Sequence, residues 1–441
     1  MYNRLILIHF TMYGCQQVLI NSPPDVMAVL EYVCSEANKL YNCGLYYARQ
    51  IYFKTHQYIG KYTLDKQLKS NLHFKALRSC VAQQTLRSVY EAFVSYWKLL
   101  SMWKRGELPD KPRIPKYRKK GFYQFVYPKQ WLKLIGNEIK FSLGKQVKTW
   151  FKLDSFSLPM PSNLRFENIK EVRIIPRNRC FYAEFVYQLE IQDQGLNQDN
   201  ALGIDPGLNN WLTCVSNVGT SFILDGKHLK SVNRWYNKQV STIKEGKPQG
   251  LWSNRLAKIT EKRNRQMRDA VNKAARIVVN HCLDNHIGTI VFGWNDEVKK
   301  EINLGKKNNQ SFVSIPTARL KNRIAQLCEL YGIRFIETEE SYTSKASFLD
   351  GDIIPVHGAK PEGWKSSGKR TKRGLFRTGN NWYINADCNG AANIIRKVAT
   401  TLNLDLSPVN RGVLTRPQKL KFWSAKKTLR NGVLTRCEAS A

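Results

Sequence analysis

Residues 201–225 read ALGIDPGLNNWLTCVSNVGTSFILD, three short apolar runs separated by turn residues. ALGID (201–205), WLTCVS (211–216) and SFILD (221–225) have the length and bounding turn chemistry of strands, and they predict a short antiparallel meander. The first strand ends on Asp205, and Pro206-Gly207 turn the chain there, so the carboxylate projects from the strand's C-terminal end. Downstream, 229–285 reads as helical and very basic (Lys258, Lys262, Arg263, Arg265, Arg268, Lys273, Arg276). GTIVF (288–292) is a strand, 315–331 a helix, IRFIET (333–338) a strand, and Asp387 opens a final helix running to about Thr401. A meander followed by alternating helices and strands is an α/β layer architecture with a mixed sheet.

Upstream, the polar, turn-rich stretch IQDQGLNQDN (191–200) marks a domain boundary. Before it, strand-like runs at 4–20 and 122–190 flank a block, 25–103, in which apolar residues recur at helical spacing. Val26, Val29, Leu30, Val33, Ala37 and Leu40 show it, as do Val81, Leu86, Val89, Phe93 and Trp97. The simplest organisation is a β-rich unit carrying a helical insertion. Between helices and strands lies KRGELPDKPRIPKYRKKG (104–121), with eight Lys or Arg and three prolines. One reading is a solvated linker. The other is a phosphate-contacting loop made of Lys111, Arg113, Lys116, Arg118, Lys119 and Lys120, whose cations the prolines pre-order.

The whole chain of 441 residues carries 70 Lys plus Arg against 34 Asp plus Glu, a formal charge of +36. So large a surplus repels itself in a compact state unless a polyanion neutralises it, which makes nucleic acid the expected partner. No run approaches the roughly 20 apolar residues of a spanning helix, and no secretory leader is legible, so membrane and secreted classes are set aside. The ten cysteines form no C-x-x-C pair, a pattern of reduced, mostly buried thiols rather than a disulfide frame or zinc site.

Three carboxylates stand out by position. Asp205 ends the first strand, Glu340 lies just past IRFIET, and Asp387 opens the last helix; one shared layer would bring them to a single sheet edge. Singly, each reads equally as a turn aspartate or a helix cap. Together, oxygen donors without Cys or His nearby suit Mg²⁺ or Mn²⁺, and a pair of such ions is suited to phosphodiester cleavage. A sugar-kinase or actin-like phosphate loop is set aside, because Leu208, Asn209, Asn210 and Trp211 follow Asp205 where hydroxyls and glycines would be needed.

GIDPGLNNWLTCVS, the basic helix around 252–276, IETEESYTSKASFLDGD (336–352) and INADCNGAANIIRK (384–397) resemble, in this order, the TnpB proteins of bacterial insertion sequences, relatives of the type V CRISPR nucleases. The resemblance implies an RNA-guided DNA endonuclease with a C-terminal RNase H-like (RuvC) domain over 196–406. Before it would come a barrel-like, wedge-type domain at 1–22 and 122–195, a helical recognition insert with basic loop at 23–121, and after it a basic tail at 407–441. It also implies a guide RNA from the element's own end and double-stranded target DNA beside a short recognised motif. The particle would be a monomeric ribonucleoprotein in the bacterial cytoplasm, at the nucleoid. Asp205 matches the first catalytic aspartate and Asp387 the last.

Two departures from the family pattern follow. The usual glutamate would come directly after 288–292, where Gly293 and Trp294 stand; Glu340, three residues before Thr343 of a T-S-K motif, fits a relocated glutamate, ahead of Glu339 and then Asp296 or Glu297. The usual zinc ribbon is also missing, since 341–386 holds no Cys and only His357, so no structural zinc is expected. In its place Lys360, Lys365, Lys369, Arg370, Lys372, Arg373 and Arg377 alternate with Gly and Ser, read as a flexible basic lid or a solvated loop. The competing functions are a guided DNA binder without cleavage, a general RNA-binding protein, and a strand-joining transposase, for which no nucleophilic Tyr or Ser arrangement is present. The repeated GVLTR at 412–416 and 432–436 receives no functional reading, and the tail around it is expected to be mobile.

Overall fold

The computed structural model describes residues 12–57, 59–295, 315–421 and 423, and these form two compact units that divide at Leu189–Glu190.

In the first unit, β1 (Met12–Leu19) leads into α1 (Pro24–Thr55), α2 (Thr63–Leu68), α3 (Leu72–Ala76) and α4 (Ser79–Lys104). The strands β2 (Phe125–Pro128), β3 (Leu132–Ile135) and β4 (Glu138–Ser142), helix α5 (Lys145–Phe151), and strands β5 (Ser155–Pro159), β6 (Ile169–Arg177) and β7 (Cys180–Leu189) follow. They make two antiparallel sheets, ordered β1-β7-β6-β2 and β3-β4-β5. Val29, Leu30, Leu40 and Leu45 of α1 and Leu86, Val89 and Phe93 of α4 are buried with Phe125, Phe141 and Phe185 of the sheets in one core. The helical insertion and the β-rich part therefore share their hydrophobic interior.

The basic 104–121 stretch has no helix or strand, but its course is fixed. Asn38 and Asn42 of α1 donate to the carbonyls of Lys119 and Arg118, and Asn42 accepts from the Arg118 N–H. Arg49 donates to the Pro115 carbonyl.

The second unit begins with β8 (Asn197–Pro206), β9 (Asn210–Ser216) and β10 (Ser221–Asp225), paired antiparallel as the sequence predicts. The basic stretch expected as one helix over 229–285 is two, α6 (Lys227–Lys244) and α7 (Asn254–Asp284). The break falls at Glu245-Gly-Lys-Pro-Gln-Gly250, where Gly246 and Gly250 take left-handed backbone and Ser253 caps α7 by accepting from the Leu256 N–H. Next come β11 (Ile287–Gly293), α8 (Thr317–Tyr331), β12 (Arg334–Thr338), β13 (Lys369–Lys372), β14 (Leu375–Arg377), β15 (Tyr383–Asn385), α9 (Ala386–Leu402), α10 (Arg411–Thr415) and β16 (Gln418–Leu420).

The main sheet runs β12-β11-β8-β9-β10-β16, with β11 parallel to β8 and β12 parallel to β11. The C-terminal ends of β8, β11 and β12 consequently share one edge. Helix α9 packs on β8, β9 and β11 at close range. A methyl group at Gly203 of β8 would collide with the Ala391 carbonyl oxygen and the Ile395 side chain, and Ala391 and Ala392 present the matching small side chains of α9.

Two expectations are corrected here. Residues 411–420, assigned to a mobile tail, form α10 and β16; β16 adds to the sheet edge parallel to β10, and Leu414 of the first GVLTR copy is fully buried. The second copy lies outside the described residues. From Lys369 on, the basic stretch after Glu340 is a folded three-stranded antiparallel sheet, β13-β14-β15, rather than a flexible lid or solvated loop, while Lys360 and Lys365 stand in exposed irregular chain before it. Phe376 and Ile384 sink into a core with Cys388 and Ala391 of α9. Two aspartates tie its strands to the 347–352 turn. Asp352 accepts from the Ser347 N–H at 2.7 Å, the Ser366 hydroxyl at 2.9 Å and the Ser367 N–H at 3.1 Å. Asp350 accepts from the Gly379 N–H at 2.6 Å and the Asn380 amide at 3.2 Å.

Replacing Gly203 by Ala should lower the free energy of unfolding by about 1–3 kcal/mol, the ordinary cost of overpacking a tight interior. Equilibrium urea unfolding should show a lower midpoint at unchanged slope. Burial alone would raise the Asp352 carboxyl, but hydrogen bonds from Ser367, Ser347 and Ser366 hold it below the usual aspartate value. Its stabilisation is thus present above the unfolded-state value and is lost as pH falls through the depressed folded value. Hydrogen exchange in 347–352 and 366–380 should accelerate over that acidic window in the native chain. In Asp352→Asn it should be fast at every pH, with β8 and β11 still protected.

Candidate active site

Asp205, Glu340 and Asp387 reach the same sheet edge from three separate stretches of chain. Asp205 is next to last in β8, opposite Thr213 of β9, and Glu340 stands two residues beyond β12. Asp387 sits in the first turn of α9, where the Asn385 side chain caps the helix by accepting from the Asp387 and Cys388 N–H groups. A carboxylate in that first turn is favoured by the helix dipole. The proximity is legible in the electrostatics. Burial pushes the Asp205 carboxyl well above its ordinary value, and the charges of Glu340 and then Asp387 push it further, with Arg370 opposing them. Charges act on a buried carboxyl in this way only from close by.

The fit between α9 and β8 fixes Asp205. A Cβ at Gly390 would lie 2.7 Å from Asp205 Oδ2, so only glycine at that helical position leaves the carboxylate where it is. The vacated family position has a similar cause. Gly293 ends β11 beneath α9, and a Cβ there would come 2.5 Å from Ile394 Cδ1. The next residue, Trp294, donates its N–H to the Thr338 carbonyl and lies under the Lys321 ammonium, 4.5 Å from the ring centre. A carboxylate at Gly293 would displace the Ile394 side chain, and one at Trp294 would remove the ring beneath Lys321.

Asp387 is held by two partners that sequence reading did not assign to it. Asn210, at the start of β9, donates to Oδ2 at 2.7 Å, and the Arg370 guanidinium donates to Oδ1 at 3.0 Å. The signal for Asn210 was the Asn209-Asn210 pair following Asp205; its neighbour Asn209 accepts from the Lys230 ammonium at 2.7 Å. As the side chains stand, no group of three His, Cys, Asp or Glu among the described residues is gathered into a metal-holding cluster. Glu339, the second choice for the third carboxylate, pairs with the buried Lys397, and Asp296 and Glu297 lie outside the described residues. Burial alone would raise Glu339, but hydrogen bonds from Lys397 and Ser341 bring it below its ordinary value.

The predicted nucleic-acid contacts divide into exposed and engaged cations. Arg113, Lys116, Lys119 and Lys120 are exposed, and Lys111 lies over Trp103. Arg118 donates to Asn38 and stacks 4.2 Å over Tyr123. Along α7, Arg265 is exposed, whereas Arg263 donates to Asn233 of α6 and Arg268 to the buried Glu261. Lys369, Lys372 and Arg373 face solvent on the small sheet, and Arg370 turns inward to Asp387. No described helix is long and apolar enough to cross a membrane.

Residues 184–299 match the OrfB_IS605 family, described as "Probable transposase", and residues 318–394 match the family "Cas12f1-like, TNB domain". Among curated proteins, none matches. Among solved structures, the chain is similar to the protein in "Cryo-EM structure of the Cas12f1-sgRNA-target DNA complex". The two are 16% identical, with 84% of this chain and 83% of that one covered at a TM-score of 0.56. The "mini-RNA-guided endonuclease CRISPR-Cas_phi3" is 9% identical, with 88% and 92% covered at a TM-score of 0.42. The stretches that hold Asp205, Glu340 and Asp387 thus match the OrfB_IS605 and Cas12f1-like models, in keeping with the TnpB family that the motifs resemble.

Proposed function

We propose that the chain is a TnpB-like, RNA-guided DNA endonuclease of a transposable element, hydrolysing phosphodiester bonds at the Asp205, Glu340 and Asp387 edge. The reading is carried by one observation: Asp205 is buried at the end of the main sheet, where Glu340 and Asp387, from distant segments, lie close enough for their charges to raise its carboxyl. A meander β10-β9-β8 extended by parallel β11 and β12 supports an RNase H-like (RuvC) assignment for 196–406, and the two antiparallel sheets of the first unit are read as the barrel-like, wedge-type part. The helices of 23–121 are read as the recognition insert, and 407–441 as the basic tail, of which 411–420 is built into the sheet.

The donor set fits hard divalent cations. It consists of oxygens only, with like charges that repel unless compensated, and the neighbouring Cys388 is buried, which pushes its thiol up and away from the thiolate form. Asp205, Glu340 and Asp387 would hold Mg²⁺ or Mn²⁺, which when bound would supply water activation and leaving-oxygen stabilisation. The chain's own groups do the rest. Gly390 keeps the Asp205 carboxylate in place, Asn210 orients Asp387, and Arg370 brings a guanidinium to the same edge, where it can meet a phosphate. Glu340 is the third ligand in preference to Glu339, whose charge is matched by Lys397.

The partners are a guide RNA from the element's end and double-stranded target DNA next to a short motif, in a monomeric ribonucleoprotein of the bacterial cytoplasm. The similar Cas12f1 structure is a complex with guide RNA and target DNA, and the charge of +36 demands a polyanion. Guide pairing selects the target, while protein cations grip backbones. Lys111, Arg113, Lys116, Arg118, Lys119, Lys120, Arg263, Arg265, Arg268, Lys369, Arg370, Lys372 and Arg373 are the assigned contacts. The exposed members are expected to carry most of the affinity.

Incubated with Mg²⁺, guide and matched DNA, the native ribonucleoprotein should cleave. Asp205→Asn, Asp387→Asn and Glu340→Gln should each cut the rate by about 10²-fold or more, the scale of losing one electrostatic contributor to a transition state. DNA binding in gel shifts should stay within a few-fold. Tight guide-dependent binding with no cleavage by the native protein would instead favour a guided DNA binder. Affinity for a nucleic-acid duplex should fall by about 10³-fold or more between 50 and 200 mM salt, because many phosphates are neutralised together. A flat salt titration would contradict the electrostatic part.

A further inference from the structure

Glu340 is the only one of the three carboxylates outside regular structure, yet the turn that carries it is clamped by one face of α9. Asn389 and Asn393 are fully buried and one helical turn apart. Asn393 donates to the Thr343 carbonyl at 2.9 Å and to the Ala346 carbonyl at 2.8 Å. Asn389 donates to Ala346 as well and accepts from the Phe348 N–H at 3.0 Å. Thr343 passes the restraint on, since its hydroxyl donates to the Glu340 carbonyl at 2.8 Å. On the other side of Glu340, Glu339 is paired with Lys397, which is 8% exposed and lies one further turn along the same face. The turn between them needs this support, because Tyr342 is held in left-handed backbone with φ of 62°.

Two amides buried in a helix facing a sheet are costly unless their hydrogen bonds are needed, and apolar side chains would fill the same space. Here both amides are directed at the backbone of the turn that follows Glu340. We propose that Asn389, Asn393 and Lys397 are positioning residues for Glu340, fixing its backbone on both sides so that it meets the same ion-holding edge as Asp205 and Asp387. Helix α9 would then contribute Asp387 itself, make room for Asp205 through Gly390, and hold Glu340 in place. The proposal rests on the nuclease reading and deepens it.

The test uses the full chain and Mn²⁺ as the probe, with affinity read by electron paramagnetic resonance in the absence of nucleic acid, and single-turnover cleavage read separately with guide and target. Asn393→Asp is nearly isosteric but offers an acceptor where both partners are carbonyls. It should weaken Mn²⁺ by about 10–100-fold, as loss of a ligand-orienting partner does. It should also slow cleavage at limiting Mn²⁺, and excess Mn²⁺ should recover the rate, because Glu340 is still present. Lys397→Met should act likewise, Lys397→Arg should restore most of the affinity, and Glu340→Gln should not be rescued by excess Mn²⁺. Should Asn393→Asp fail to fold, Asn393→Ser, which keeps one donor, should show a smaller loss of the same kind.

Native Mn²⁺ affinity in Asn393→Asp or Asn393→Ser and in Lys397→Met, with only a lowered melting temperature, would overturn the proposal and leave the nuclease reading standing. No saturable Mn²⁺ binding by the native chain, with Asp205→Asn indistinguishable from it, would overturn both.

Discussion

Holding like charges together at a half-dry sheet edge is the constraint from which the rest of the second unit follows. Asp205 is raised by burial and by two carboxylate neighbours, so its charged form is disfavoured in the chain by itself. A fold can sustain such an arrangement only if the surrounding structure over-determines it. The means are visible: a parallel sheet edge, a helix whose first turn favours Asp387, and Arg370 and Asn210 on its two oxygens. The arrangement is destabilising for a bare protein and useful to a site that takes up cations.

Close approach of helix and sheet is the second requirement. Gly203 in β8, Gly293 at the end of β11 and Gly390 in α9 lie where a side chain would strike the opposing element. This one packing decision explains two features together. It brings Asp387 to the β8 edge, and it leaves the end of β11 closely packed beneath Ile394. The next parallel strand, β12, ends at the same edge one strand further out, and Glu340 follows it. On the proposed reading, the position of Glu340 goes with this packing.

Much of this was legible in the sequence, and the part that was not has a physical reason. The meander, β11, α8, β12 and α9 were readable from apolar periodicity and turn residues because each is an autonomous local pattern. Asp205 and Asp387 were readable because they sit at element ends. The break between α6 and α7 was signalled by Gly246, Pro248 and Gly250 but was outweighed by the basic, helix-favouring residues on either side. The fold of 341–386 was illegible for another reason. Its order comes from Asp350 and Asp352 accepting from groups up to 30 residues away, and such hydrogen bonds leave no periodicity. Asn389 and Asn393 were visible as letters in INADCNGAANIIRK, but their partners are backbone carbonyls of another segment.

That segment also bears on how a basic stretch with a single histidine and no cysteine can be folded. A zinc ribbon closes its loops by four thiolate or imidazole bonds. In this chain two carboxylates collect serine hydroxyls and backbone N–H groups of the 347–380 turns, while Phe376 and Ile384 supply an apolar floor against α9. Hydrogen bonds to an ionised carboxylate are individually stronger than neutral ones, so a few suffice where the segment is also anchored by a core. The outcome is a small sheet whose strand β13 is exposed along its length, with Lys369 and Lys372 in solvent and Arg370 turned back onto Asp387. The same strand thereby holds cations in solvent and turns one guanidinium to the acidic edge, which ties the fold of the basic sheet directly to the electrostatics around Asp387.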